Sequence, residues 1–172
     1  MSKQKSNVDI AKKLYQNNDL NVWTTYLNKY NEAVKLVSDN KKKPELIQLD
    51  KWLWNDLKTN VYDRYKKEPE NGYFLTKVEL SNIMKWKLIR GQFRPLQKLV
   101  DSNSEDLVMS CTGKALNILC NPNNKKYGDW KEALKELTVL KGIGVATASI
   151  ILAVFTSLAL GHTSDLPESC PM

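Results

Sequence analysis

From Leu140 to Ser149 the chain reads Leu-Lys-Gly-Ile-Gly-Val-Ala-Thr-Ala-Ser, two glycines two residues apart with a helical pattern on either side. Trp130, Ala133, Leu134, Leu137 and Leu140 recur at helical spacing behind a good N-cap at Asp129, and Gly142 stands where that helix needs a left-handed C-cap. A second helix starting at once aims its first N–H groups outward from a positive dipole end. Such a turn can hold an anion, phosphate foremost, through the amides around Gly142, Ile143, Gly144 and Val145, with Lys141 adding charge. The same turn also serves as an ordinary joint between two core helices. A second group suited to phosphate lies between Glu79 and Asp101, where Lys85, Lys87, Arg90, Arg94 and Lys98 occur with no acid among them. Lys87, Arg90 and Arg94 follow at spacings of three and four. Either they face the same polyanion as the turn, or they are solubilising charges and partners for Glu79 and Asp101.

Other chemistries find little support. No Gly-x-x-x-x-Gly-Lys-Ser/Thr or Gly-x-Gly-x-x-Gly pattern is present, which argues against a nucleotide cofactor. The single histidine, His162, lies near the carboxyl end, where a Ser-His-Asp or Cys-His arrangement would have to form from a tail. Cys111, Cys120 and Cys170 are an odd number at no metal-like spacing, so neither a disulfide framework nor a zinc site is expected. The expectation is a chain with no cofactor and no metal.

Leu-Lys-Gly-Ile-Gly followed by Ala-Thr-Ala-Ser-Ile-Ile-Leu resembles the helix-hairpin-helix of DNA-repair proteins, in particular the helix-hairpin-helix DNA glycosylase superfamily. The likeness covers Trp130 to Leu152. It implies a hairpin that grips a DNA phosphate through backbone amides without reading bases. In the family, enzymes that cut the backbone through a Schiff base carry a lysine just before the Thr-Ala pair; that position here is Ala146, which offers no amine nucleophile. Members also carry an aspartate about twenty residues past the hairpin, and Asp165 lies 21 residues after Gly144. Its flanks differ from the family pattern, and seven residues are too few to wall in a catalytic carboxylate. Met84-Lys-Trp-Lys-Leu-Ile-Arg-Gly-Gln-Phe-Arg-Pro95 is similar to a segment of uncharacterised eukaryotic proteins that carry this hairpin, a likeness with no activity attached.

The elements that must position these residues read as helices throughout. Asp9 to Gln16 predicts a short helix, and Val22, Trp23, Tyr26, Tyr30, Ala33, Val34 and Val37 form one stripe whose aromatic rings belong in the core rather than on bases. Charge and proline from Ser38 to Pro44 break the pattern, with Lys41 to Lys43 read as a solvated run. Leu46, Leu49, Trp52, Leu53, Leu57, Val61 and Tyr65 then predict a long amphipathic helix, and Lys66 to Gly72 a polar loop. Thr76-Lys-Val-Glu79 is a capping box that starts a helix at Lys77, ending near Gly91. Short helices follow over Leu96 to Val100 and from Ser104 through Leu119.

The 172 residues, 42% hydrophobic, suit one helical domain over 1–160, with the hairpin at 129–160 and a flexible tail at 161–172. The net charge of +7 suits a polyanionic partner, and neither half is a basic tail: residues 1–76 hold 14 Lys+Arg and 10 Asp+Glu, residues 77–172 hold 12 and 9. The polar amino end has no signal-like apolar run, which predicts an intracellular protein, and the expected location is the nucleus. The apolar stretch Val145 to Leu160 has 16 residues, short of a membrane span. The tail Leu166 to Met172 reads unlike the end of a packed helix and suggests a truncated form, which would bare Val154, Phe155 and Leu158. The functional expectation is a DNA-binding module without sequence specificity. A helical protein-interaction module and a residual glycosylase using Asp165 are the alternatives.

Overall fold

A computed structural model describes residues 9, 11–120 and 130–160, and all regular structure among them is helical. The main helices are α1 (Leu20–Asn28), α2 (Tyr30–Lys41), α3 (Glu45–Lys51), α4 (Leu57–Lys67), α5 (Lys77–Arg90), α6 (Gln97–Asp101), α7 (Glu105–Cys120), α8 (Trp130–Thr138) and α9 (Val145–Leu160). A π-helical stretch, Trp52–Asp56, joins α3 to α4, so the expected long helix forms with one widened turn inside it. The expected tail 161–172, with His162, Asp165 and Cys170, and the expected cap Asp129 lie outside the described residues.

Local chemistry sets the boundaries. Thr76 Oγ1 accepts from the Glu79 amide at 3.2 Å while Glu79 Oε2 accepts from the Thr76 amide at 2.8 Å, so α5 starts at Lys77 as its capping box requires. Glu79 is then fastened by both terminal nitrogens of Arg64, which tie α4 to α5. The lysine run is not simply solvated: Lys41 donates to the carbonyls of Ile89, Arg90 and Gly91 and so neutralises the carbonyl end of α5.

The core forms where α7, α8 and α9 meet α5 and α4. Leu80, Ile83, Met84, Leu116, Leu137, Ile151 and Phe155 are all fully enclosed. In α9, Ala148, Ile151, Leu152 and Phe155 turn inward at spacings of three and four, which makes this a core helix. Val154 and Phe155, two of the three side chains expected to be bared, are buried, and the side chain of the third, Leu158, lies outside the described residues. Among the described residues no helix is long and apolar enough to cross a membrane.

The first aromatic stripe departs from expectation. It splits at Lys29 into α1 and α2, and α1 buries no residue at all. Trp23 is 41% and Tyr26 46% exposed, so these rings are not core. The Trp23 indole donates to the Asn17 carbonyl at 2.7 Å, which fixes its polar edge locally and leaves the ring outside.

Candidate nucleic-acid interface

The turn between α8 and α9 closes by short-range bonds. The Leu140 amide donates to the Leu137 carbonyl and the Ile143 amide to the Leu140 carbonyl, at 3.2 and 3.1 Å. Gly142 adopts φ +80°, the left-handed conformation that glycine enters freely. A Cβ on Gly142 would stand 2.7 Å from Val100 Cγ2 and 3.2 Å from the Val100 amide nitrogen, because the turn is pressed onto α6. Glycine is required here both for conformation and for space.

A buried asparagine locks the turn in place. Asn103 Oδ1 accepts from the Lys141 amide and Asn103 Nδ2 donates to the Lys141 carbonyl, both at 3.0 Å, while Nδ2 also donates to the Val100 carbonyl. One amide side chain thus satisfies both backbone groups of Lys141 and links the α6–α7 connection to the α8–α9 turn. In the sequence Asn103 stands in Asp-Ser-Asn-Ser, which signals only a loop. Its partnership across 38 residues has no local signature.

The start of α9 is open. The Gly144 carbonyl accepts from the amides of Thr147 and Ala148 at 2.9 and 3.0 Å, whereas the N–H groups of Gly144, Val145 and Ala146 have no acceptor among the described residues. All three residues are exposed, and beyond its immediate chain neighbours no atom lies within 4 Å of where a Gly144 Cβ would be. Ile143 differs from its expected role: its amide is spent on Leu140 and its side chain is buried in the core. Lys141 has its backbone taken by Asn103 but remains exposed beside the opening. Ala146, which had drawn attention only as the place of a missing amine, supplies one of the free amides.

The expected cationic trio divides. Lys87 Nζ donates to Thr147 Oγ1 at 2.6 Å, which brings an ammonium from α5 to the first turn of α9. Burial of Lys87 and, second, the charge of Arg94 hold its pKa below the ordinary 10.5. Arg94 itself is exposed. Arg90 instead binds Asp50 Oδ1 and the Tyr30 hydroxyl, at 2.9 and 2.5 Å, so it does not join a common face with Lys87. Residues three apart on a helix stand about 60° apart around the axis, enough for one to reach α9 and the other α2 and α3. Nor do the suggested acidic partners take Lys87 or Arg94. Glu79 binds Arg64, and Asp101 accepts from Ser81 and Gln97.

Cys111 and Cys120 are buried thiols, the latter pushed up to about 11 by burial. Among the described residues no group of His, Cys, Asp and Glu is arranged to hold a metal ion. Compared with family models, curated proteins and solved structures, the chain matches none.

Proposed function

We propose that this chain is a DNA-binding module without sequence specificity, gripping a backbone phosphate at the start of α9. The observation that carries the reading is the open trio of amides at Gly144, Val145 and Ala146, at the positive end of a 16-residue helix with clear space before it. The position of Lys87 at Thr147, with Arg94 and Lys141 exposed nearby, supports it by adding charge where an anion would sit. The resemblance of Trp130 to Leu152 to the glycosylase superfamily's hairpin points the same way. Ala146 leaves this helix start without an amine nucleophile, so the proposed role is binding rather than strand cleavage.

A protein-interaction role is favoured by one observation, the exposed Leu20, Trp23 and Leu27 of α1. Fluorescence anisotropy of a labelled duplex across a salt series separates the two. The DNA reading expects log Kd to change with log salt at a slope of roughly two to three, the count of phosphates met. It also expects Gly144→Leu, which places a bulky side chain in open space before the amides, to abolish binding while the fold persists. Equal binding by the variant overturns the reading.

A further inference from the structure

Two guanidinium–carboxylate pairs among the described residues are built differently. Arg64 meets Glu79 through both terminal nitrogens, at 3.2 and 2.8 Å, and gives a third bond to the Phe74 carbonyl. That pair uses both terminal nitrogens and leaves only the buried Nε without a partner among the described residues. Arg90 spends one nitrogen, Nη1, on both Asp50 Oδ1 and Tyr30, and its other nitrogens have no partner among the described residues. The Asp50 side chain is 6% exposed and the Arg90 side chain 38%, so the pair has a buried anchor and a bare edge.

Arg90 lines a cavity of about 670 Å³ between α2, α3, the π-helical stretch and α5. The volume is of the size that holds a small organic ligand. Tyr30, Trp54 and Trp86 supply aromatic walls, and Val34 and Ile47 apolar ones. The guanidinium lies 5.2 Å from the ring centres of both Tyr30 and Trp86, which fix its plane. Asp50 Oδ1 also accepts from the Trp86 indole at 2.8 Å, and the Tyr30 hydroxyl accepts from the Trp54 indole at 3.1 Å. Burial raises the Tyr30 pKa, which keeps the hydroxyl a donor to Asp50. Asp50 Oδ1 thus takes three donors while Oδ2 has no partner among the described residues, and with Arg90 and Lys51 also in the wall the charged groups lining the cavity sum to one net positive charge.

We propose that this cavity is a binding site for a planar aromatic carboxylate, its ring against Trp54 and its carboxylate on the bare edge of Arg90. A guanidinium locked in plane by a buried carboxylate and two rings is prepared for bidentate contact with a carboxylate, since its orientation costs nothing further on binding. The site uses Arg90 and Trp86 of α5, whereas Lys87 turns to Thr147 of α9.

The test is a titration of the full, ¹⁵N-labelled chain with 2-naphthoate, following the indole N–H signals of Trp54 and Trp86, assigned with single Trp→Phe variants. Saturable movement of both signals is expected, with 2-naphthylmethanol, which lacks the carboxylate, about tenfold weaker or worse. Ile47→Trp fills the cavity without touching the Asp50 network and should abolish the response in a protein that melts as the parent does. Arg90→Gln should remove the preference for the carboxylate; if that variant fails to fold, the Ile47→Trp and naphthylmethanol comparisons decide. No movement of these indoles up to about 10 mM, equal binding of the alcohol, or an unchanged response in Ile47→Trp overturns the proposal.

Discussion

Gly142 and Gly144 look alike in sequence and differ in what they require. Gly142 needs a left-handed backbone and has Val100 against it, so Gly142→Ala should destabilise the fold by about 1–3 kcal/mol, read from urea unfolding. Gly144 has a negative-φ backbone and open space, so Gly144→Ala should leave stability within about 0.5 kcal/mol. An equal loss from both would contradict this division. Asn103 carries the turn from below, and Asn103→Ala strips both backbone groups of Lys141 of their partner. Its cost should be about 1–3 kcal/mol by thermal or urea unfolding, and the amides from Leu140 to Gly144 should exchange with solvent faster.

Lys87 makes a pH prediction with a definite sign. Its pKa is lower in the folded chain than the ordinary 10.5, so folding disfavours its charged form, and stability rises as pH passes through the lowered value toward 10.5. The proposed duplex binding would have the opposite trend, because a phosphate beside the ammonium favours the charged form. Affinity should therefore fall over that same interval, and Lys87→Gln should remove the trend and reduce the salt slope by about one. A variant that keeps the parent's slope would take Lys87 out of the interface.

At the scale of elements, much was legible and the failures have identifiable causes. The capping box at Thr76 and Glu79 is local chemistry written within four residues, and α5 begins where it says. The inward stripe of α9 and the glycine-ended turn before it are equally local. What did not transfer was the use made of each face. Trp23 and Tyr26 sit at core-like spacing, yet α1 packs mainly on α2 and never reaches the interior. Arg90 sits at interface-like spacing with Lys87, yet Asp50, 40 residues away, captures it. Periodicity specifies a face, and the partner that meets the face depends on contacts distant in sequence. Of the open amides at α9, Gly144 and Val145 were readable from the helix start, while Ala146 and the spent amide of Ile143 were not, and neither was the Asn103 clamp, a pairing across 38 residues.

At the scale of the whole molecule, buried titratable groups shape the response to alkali. Tyr73 is pushed up to about 12, chiefly by burial and then by Cys120 and the neighbouring tyrosines, and burial pushes Cys120 up to about 11. Both must become charged more readily in the unfolded chain, which therefore binds fewer protons, so stability should fall as pH rises from about 9 toward 12. These groups outnumber Lys87, whose effect has the other sign. In Lys87→Gln, which removes the contribution of opposite sign, a urea midpoint that rises from pH 9 to 11 would contradict the buried placement of Tyr73 and Cys120. The net charge of +7 carries no such specificity; it favours approach to any polyanion.

The grip itself is tested most directly by backbone amide spectra of the ¹⁵N-labelled chain titrated with a short duplex of arbitrary sequence. The account predicts saturable downfield movement of the Gly144, Val145 and Ala146 amides, the same for unrelated duplexes, while the Ile143 amide, already bonded within the turn, moves least. Movement confined to other surfaces, such as α1, or silence at these three amides while the duplex is bound, would contradict it.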